Sequence, residues 1–160
     1  MAFEGVGPVV FGGVSMVTAS LGANDPQPGA IKVEGGREYI FVYNDGGSDI
    51  NPGYGAVLVA DATVMSCTVS AVTSADAVMG VCRHATLTTA TYGWLVRRGI
   101  TNVEMNATSG TVSALGLIEI AANGDFSPAS LTTGNLAPAC GKALEAIVSS
   151  ASGSAYISCF

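Results

Sequence analysis

The stretch Glu38-Tyr-Ile-Phe-Val-Tyr-Asn-Asp-Gly-Gly47 predicts a buried β-strand that ends in a tight turn. Its three aromatic residues alternate with Ile40 and Val42, so both faces of the strand are apolar. A strand with two apolar faces is typical of a central position in a sheet. The Asn-Asp-Gly-Gly sequence that follows is a strong turn signal, because asparagine and glycine readily adopt positive φ angles.

Short apolar segments of the same kind recur along the rest of the chain, and a helical period is almost absent. Glycine, proline or asparagine residues separate them, which is the pattern of an all-β barrel or sandwich. We therefore predict a body at residues 31–160 that is a small antiparallel β-barrel or β-sandwich of short strands. The predicted strands include residues 38–43, 56–60, 63–70, 77–84, 91–97, 100–105, 116–121 and 154–160.

Three local predictions accompany this body. Residues 63–70 and 77–84 are expected to form a hairpin, and a symmetric register would place Cys67 opposite Cys82. Gly99 is expected to interrupt the strand that contains Trp94. Residues 126–142 are expected to form a loop, and 142–148 either a strand or one helical turn.

The first thirty residues differ from the body because their apolar side chains follow neither a strand nor a helical period. Such a segment cannot bury itself, so it is expected to lie on another surface. It is either a first strand of the barrel with a loose start or, as we predict, an extended arm at residues 1–30 that packs on a neighbouring subunit. The predicted partner-binding residues are Phe3, Val6, Val9, Val10, Phe11, Val14 and Met16.

Charge composition argues against nucleic-acid binding. Charged residues are 11% of the chain, and twelve acidic residues outnumber six basic ones, which gives a net charge of −6. Binding to phosphates requires a cationic surface that displaces counterions, and six scattered cations do not provide one. The apolar start is broken by glycines and lacks Lys and Arg, so neither a secretion signal nor a membrane span is expected.

No catalytic, metal or cofactor motif is apparent. His84 is the single histidine and follows Arg83, which would keep its imidazole neutral without making it a base. The four cysteines include no Cys-x-x-Cys pair, which argues against zinc and redox motifs. Either two disulfides or four free thiols are compatible with the spacing, and buried free thiols are favoured. We expect a protein that is not an enzyme and has no cofactor.

The middle and end of the chain resemble a known family. Met79-Gly-Val-Cys82, Tyr92-Gly-Trp94, Asn102-Val-Glu-Met105, Lys142-Ala-Leu-Glu-Ala-Ile147 and the final Tyr156-Ile-Ser-Cys-Phe160 occur in an order that resembles the small β-barrel decoration (cement) proteins of tailed bacteriophage capsids. The resemblance covers roughly residues 36–160.

This resemblance implies a structural role in the virion. Such a protein binds the outer surface of the phage head and clamps neighbouring subunits of the major capsid protein against internal DNA pressure. It implies self-association, with a homotrimer favoured and a dimer as the other possibility. It also implies synthesis in the cytoplasm of a bacterial host.

A β-rich adhesion or carbohydrate-binding module is the alternative. It would present Tyr54, Tyr92 or Trp94 on an outer face as a platform for sugars. The decoration-protein hypothesis instead predicts that Trp94 lies in the barrel core.

Overall fold

A computed structural model describes residues 13–59, 65–69, 77–129 and 139–159. Within these residues the chain is all-β and contains no helix, which confirms the predicted fold class. The strands belong to one large sheet in which most pairings are antiparallel. They are β1 (Val17–Thr18), β2 (Ile31–Glu34), β3 (Arg37–Asn44), β4 (Gly55–Leu58), β5 (Ser66–Thr68), β6 (Val78–Cys82), β7 (Tyr92–Glu104), β8 (Leu117–Ile120), β9 (Phe126–Pro128), β10 (Gly141–Ala143) and β11 (Ser152–Ser158).

Five of the strands close into a ring, which we call the first ring. Its order is β3-β5-β4-β6-β7, and β7 pairs back with β3. The β3–β5 pairing is parallel, whereas the other four are antiparallel. Ile40 and Val42 of β3 pack with Leu95 of β7 in one buried cluster of this ring. The central position predicted for the strand at 38–43 is confirmed.

The second half of β7 belongs to another set of strands, which we call the second ring. From Arg98 to Glu104 β7 pairs with β11, and the sheet continues through β10 and β8 to β9. A bridge between Met105 and Phe126 brings β9 back to the end of β7. Ile118 and Ile120 of β8 are buried on the same face, as their alternation in the sequence predicted, in a cluster that also takes in Val57 of β4 and Val81 of β6. One strand therefore supports both rings.

The interruption predicted at Gly99 is wrong, because β7 runs without a break from Tyr92 to Glu104. Gly99 has φ +118°, and a Cβ atom there would lie 3.0 Å from Cγ of Arg37 and 3.1 Å from the carbonyl oxygen of Gly36. The glycine therefore permits a close approach of the β2–β3 turn to β7. It marks a contact within a strand and not the end of one.

The predicted hairpin of residues 63–70 and 77–84 is also wrong. β5 pairs with β3 and β4, so β4 separates it from β6. Cys67 and Cys82 nevertheless lie in the same buried cluster, because β5 and β6 both contribute side chains to the core of the first ring. All four cysteines are buried and free, as favoured from the sequence.

The loop predicted at residues 126–142 contains two strands at its ends. Phe126 is fully buried and pairs with Ile120, so the second ring draws β9 into the sheet. Pro128 fits there because β8 is the paired strand on one side of β9 and the contact on the other side is a bridge at Phe126, so a missing backbone N–H at Pro128 is tolerated. Of the two options for residues 142–148, the strand is observed at its start, in β10.

Candidate partner-binding surfaces

Most of the predicted arm residues lie outside the described part of the chain. Phe3, Val6, Val9, Val10 and Phe11 belong to this group, so their role in partner binding stays a prediction.

Val14 and Met16 are described, and both are partly buried against their own chain. They pack on a cluster of Tyr39, Phe41, Trp94 and Val96, which we call the outer cluster. Phe41 and Trp94 are in ring contact there, with centroids 5.0 Å apart and an interplanar angle of 57°. These two predicted partner-binding side chains therefore contribute to packing within the chain.

A short strand fixes the path of this N-terminal segment. β1 is antiparallel to β7, with Val17 opposite Gly93 and Thr18 opposite Tyr92. A Cβ atom at Gly93 would lie 2.8 Å from Cδ1 of Leu87 and 3.3 Å from the carbonyl oxygen of Met16, so the close approach needs glycine. The chain thus contacts the first ring well before residue 30, where the sequence placed the boundary between arm and body.

Trp94 is buried, with 5% of its surface exposed. It lies in the outer cluster, while its neighbour Leu95 points into the first ring, because successive side chains alternate across a strand. The prediction that Trp94 is buried is confirmed, but its location inside the barrel is not. Tyr54 and Tyr92 are only partly exposed and pack against buried clusters. Trp94 is thus not available as the sugar platform of the alternative hypothesis.

A cleft of about 570 Å³ lies where the two rings meet. The first ring and its loops contribute Arg37, Arg83 and His84, and the second half of β7 with β11 contributes Asn102 and Ser154. The remaining lining residues are Pro52, Gly53, Ile100, Thr101, Val103, Glu104 and Ser152. This cleft was not predicted from the sequence. The one local sequence feature that could have pointed to it is the adjacency of Arg83 and His84.

Two arginines, Arg37 and Arg83, and the carboxylate of Glu104 are the charged side chains among the described residues that line the cleft. Burial lowers the pKa of His84, and the nearby guanidinium groups of Arg83 and Arg37 lower it further. The imidazole stacks on Tyr39, with centroids 6.2 Å apart. His84 is therefore neutral near pH 7, and the charge of this wall comes from the two arginines.

The thiols differ from reactive cysteines. Burial raises the pKa of Cys82 to about 11 and that of Cys159 to about 12. It raises the pKa values of Cys67 and Cys140 as well. A thiol must ionise to act as a nucleophile, so these four side chains behave as core residues.

The described residues contain no group of three or more His, Cys, Asp or Glu side chains positioned to hold a metal ion. In the same part of the chain, no helix is long and apolar enough to cross a membrane.

Comparisons with known proteins give one informative result. No family model matches the chain, and no curated protein matches it. Among solved structures, the chain is similar to the N base of the head fiber gp8.5 of bacteriophage phi29, with a TM-score of 0.54. The alignment covers 75% of this chain and 94% of that one, at 8% sequence identity. At this identity the similarity shows a shared fold.

Proposed function

We propose that this chain is a structural protein of a bacteriophage head that binds the outer surface of the shell and clamps neighbouring major capsid subunits. The observation that carries the proposal is the fold shared with a phage head-fiber base over most of both chains. The order of strand motifs in the sequence points to the same class of protein. The role is non-enzymatic.

Charge supports a position on the outside of the head. The chain carries a net charge of −6, so packaged DNA would repel it. With charged residues at 11%, much of the surface consists of small polar and apolar side chains. Such side chains lose little conformational entropy when they are buried against another protein.

The clamp would act through binding energy. Internal DNA pressure pushes capsid subunits apart, and a protein bound across their boundary favours the closed shell by its own binding free energy. If the first residues bury about 500 Å² of apolar surface, the gross gain is on the order of 12 kcal/mol at roughly 25 cal/mol per Å². The costs of association and ordering remove much of this gain. A trimer would restore it, because three linked arms bind with a high effective concentration.

Co-sedimentation with DNA-filled heads of the phage that encodes the chain tests the proposal. We expect the full chain to sediment with heads and to raise the temperature at which they release DNA. Deletion of residues 1–12 should abolish sedimentation and leave the folded body, because Val14, Met16 and β1 remain. The matched control is Val33→Ser, which changes an apolar side chain that is 73% exposed on β2.

Each outcome has a defined meaning. Failure of the full chain to bind heads would refute the proposed function. Binding by the deletion variant would refute the role of Phe3, Val6, Val9, Val10 and Phe11 but not the function. Binding without any change in DNA release would refute clamping. Light scattering of the purified chain tests the predicted trimer.

A further inference from the structure

We propose that the cleft between the two rings is a docking site for an acidic segment of a protein partner. Naming the shell protein as this partner rests on the proposed function. The inference that an acidic segment binds the cleft does not rest on it.

The first argument is the uncompensated charge of Arg37. Its Nε donates a hydrogen bond to the carbonyl oxygen of Ile100, and Nη1 donates to that of Gly35 at 3.0 Å. These carbonyl groups hold the guanidinium in place without neutralising it. Among the described residues, the ion pairs are Lys32–Glu34 and Arg97–Glu38, so neither Arg37 nor Arg83 has a carboxylate partner there.

The second argument is an unsatisfied donor. Nη1 of Arg83 is buried from solvent and has no hydrogen-bond partner among the described residues. Buried polar groups are normally paired, so an unpaired donor beside a cleft indicates a ligand that completes it. A carboxylate suits a guanidinium because it can accept two parallel hydrogen bonds.

The opposite wall supplies neutral hydrogen-bonding side chains and the carboxylate of Glu104. Asn102 and Ser154 are paired across β7 and β11, so both side chains lie on the same face of the sheet. Glu104, the one carboxylate among the lining residues, accepts a hydrogen bond from the Ser152 hydroxyl at 2.5 Å. This wall can bind the amide groups of a peptide whose acidic side chain reaches the arginines.

Two features favour a peptide over an acidic sugar. Sugar sites commonly present an exposed aromatic ring, whereas the described residues that line the cleft include no Phe, Tyr or Trp. Ile100 and Pro52 instead offer exposed apolar contacts for aliphatic parts of a segment. The cleft is also a positive site on a chain with a net charge of −6, so it would fix where an acidic partner docks.

Fluorescence anisotropy with a labelled hexaglutamate peptide tests the site on the full chain. We expect Arg83→Gln to weaken binding about tenfold or more, the loss expected for a hydrogen bond between charged groups. Arg83→Lys should retain part of the affinity. The control is Lys142→Gln, which removes the same charge from an exposed position on β10 and should leave the affinity unchanged. Circular dichroism confirms that each variant is folded.

An unchanged affinity in folded Arg83→Gln would overturn the proposal, and so would tighter binding of trigalacturonate than of the peptide. Head co-sedimentation separates the two proposals. If Arg83→Gln binds heads as well as the parent chain does, the shell protein is not the partner of the cleft, while the proposed function stands. If the parent chain binds the peptide but not heads, the proposed function fails and the acidic-segment site stands.

Discussion

Because β7 belongs to both rings, a substitution that destabilises the second ring should also destabilise the first ring. Ile118 is fully buried in a cluster that joins the second ring to β4 and β6, whereas Trp94, the single tryptophan, lies in the outer cluster against the first ring. The first half of β7 pairs with β3 and β6 over Tyr92–Arg98, and its second half pairs with β11 over Arg98–Glu104. Unfolding of the second ring would therefore remove the partner of half of this strand.

The perturbation is Ile118→Ala. Truncating a fully buried isoleucine costs about 2–5 kcal/mol of unfolding free energy. For a chain of this size each kcal/mol lowers the melting temperature by about 2–4 °C, so the expected decrease is roughly 4–20 °C. The assay follows urea and thermal unfolding by Trp94 fluorescence and by far-UV circular dichroism, and both signals should shift together.

Val33→Ala is the matched control, because that side chain is 73% exposed and its truncation leaves no cavity. Its transition should stay close to that of the parent chain. If Ile118→Ala shifts the circular dichroism transition but leaves the fluorescence transition in place, the rings unfold independently. The reasoning from the shared strand would then be refuted.

Three further predictions concern single features of the fold. Gly99→Ala should lower the unfolding free energy by about 1–3 kcal/mol in urea titrations, because a positive φ and a close contact with Arg37 both oppose a Cβ. Gly110 has φ +81° and nothing within 4 Å, so Gly110→Ala should lower the unfolding free energy less. Equal losses in the two variants would contradict the contact argument. Trp94 should emit at short wavelength and resist iodide quenching in the folded chain, and ready quenching would contradict its burial. Stability should fall as the pH rises from about 9 towards 11, because unfolding lets the thiol of Cys82 ionise whereas the fold holds its pKa at about 11; a Cys82→Ala variant should lose part of this dependence.

Prediction from the sequence succeeded where the determinants were local. The alternation at residues 38–43 identified β3 as central, and the alternation around Ile118 and Ile120 identified β8. Prediction failed where a glycine or proline is compatible with either the end of a strand or a position inside one. The sequence predicts a break at Gly99, but this glycine permits a close contact inside β7, and a contact with a distant turn leaves no mark in the neighbouring residues.

The pairing of strands could not be obtained in the same way. Adjacent segments at 63–70 and 77–84 resemble a hairpin, yet β4 separates β5 from β6. Register and order depend on which arrangement buries the most apolar surface, and that is a property of the whole sheet. The same reason explains why Trp94 is buried by Val14 and Met16 on the outer face of the first ring.

Composition and a two-residue period act over short distances, so the strand-rich fold, the apolar strand at residues 38–43 and the excess of acidic charge could all be predicted from the sequence. The tertiary structure decided the closure of the two rings, the parallel contact of β3 with β5 and the cleft that joins Arg37 to Arg83 and Asn102. These features bring together residues that are far apart along the chain. Only the packing of the complete fold sets those distances, so the candidate docking site could not be found from any one segment.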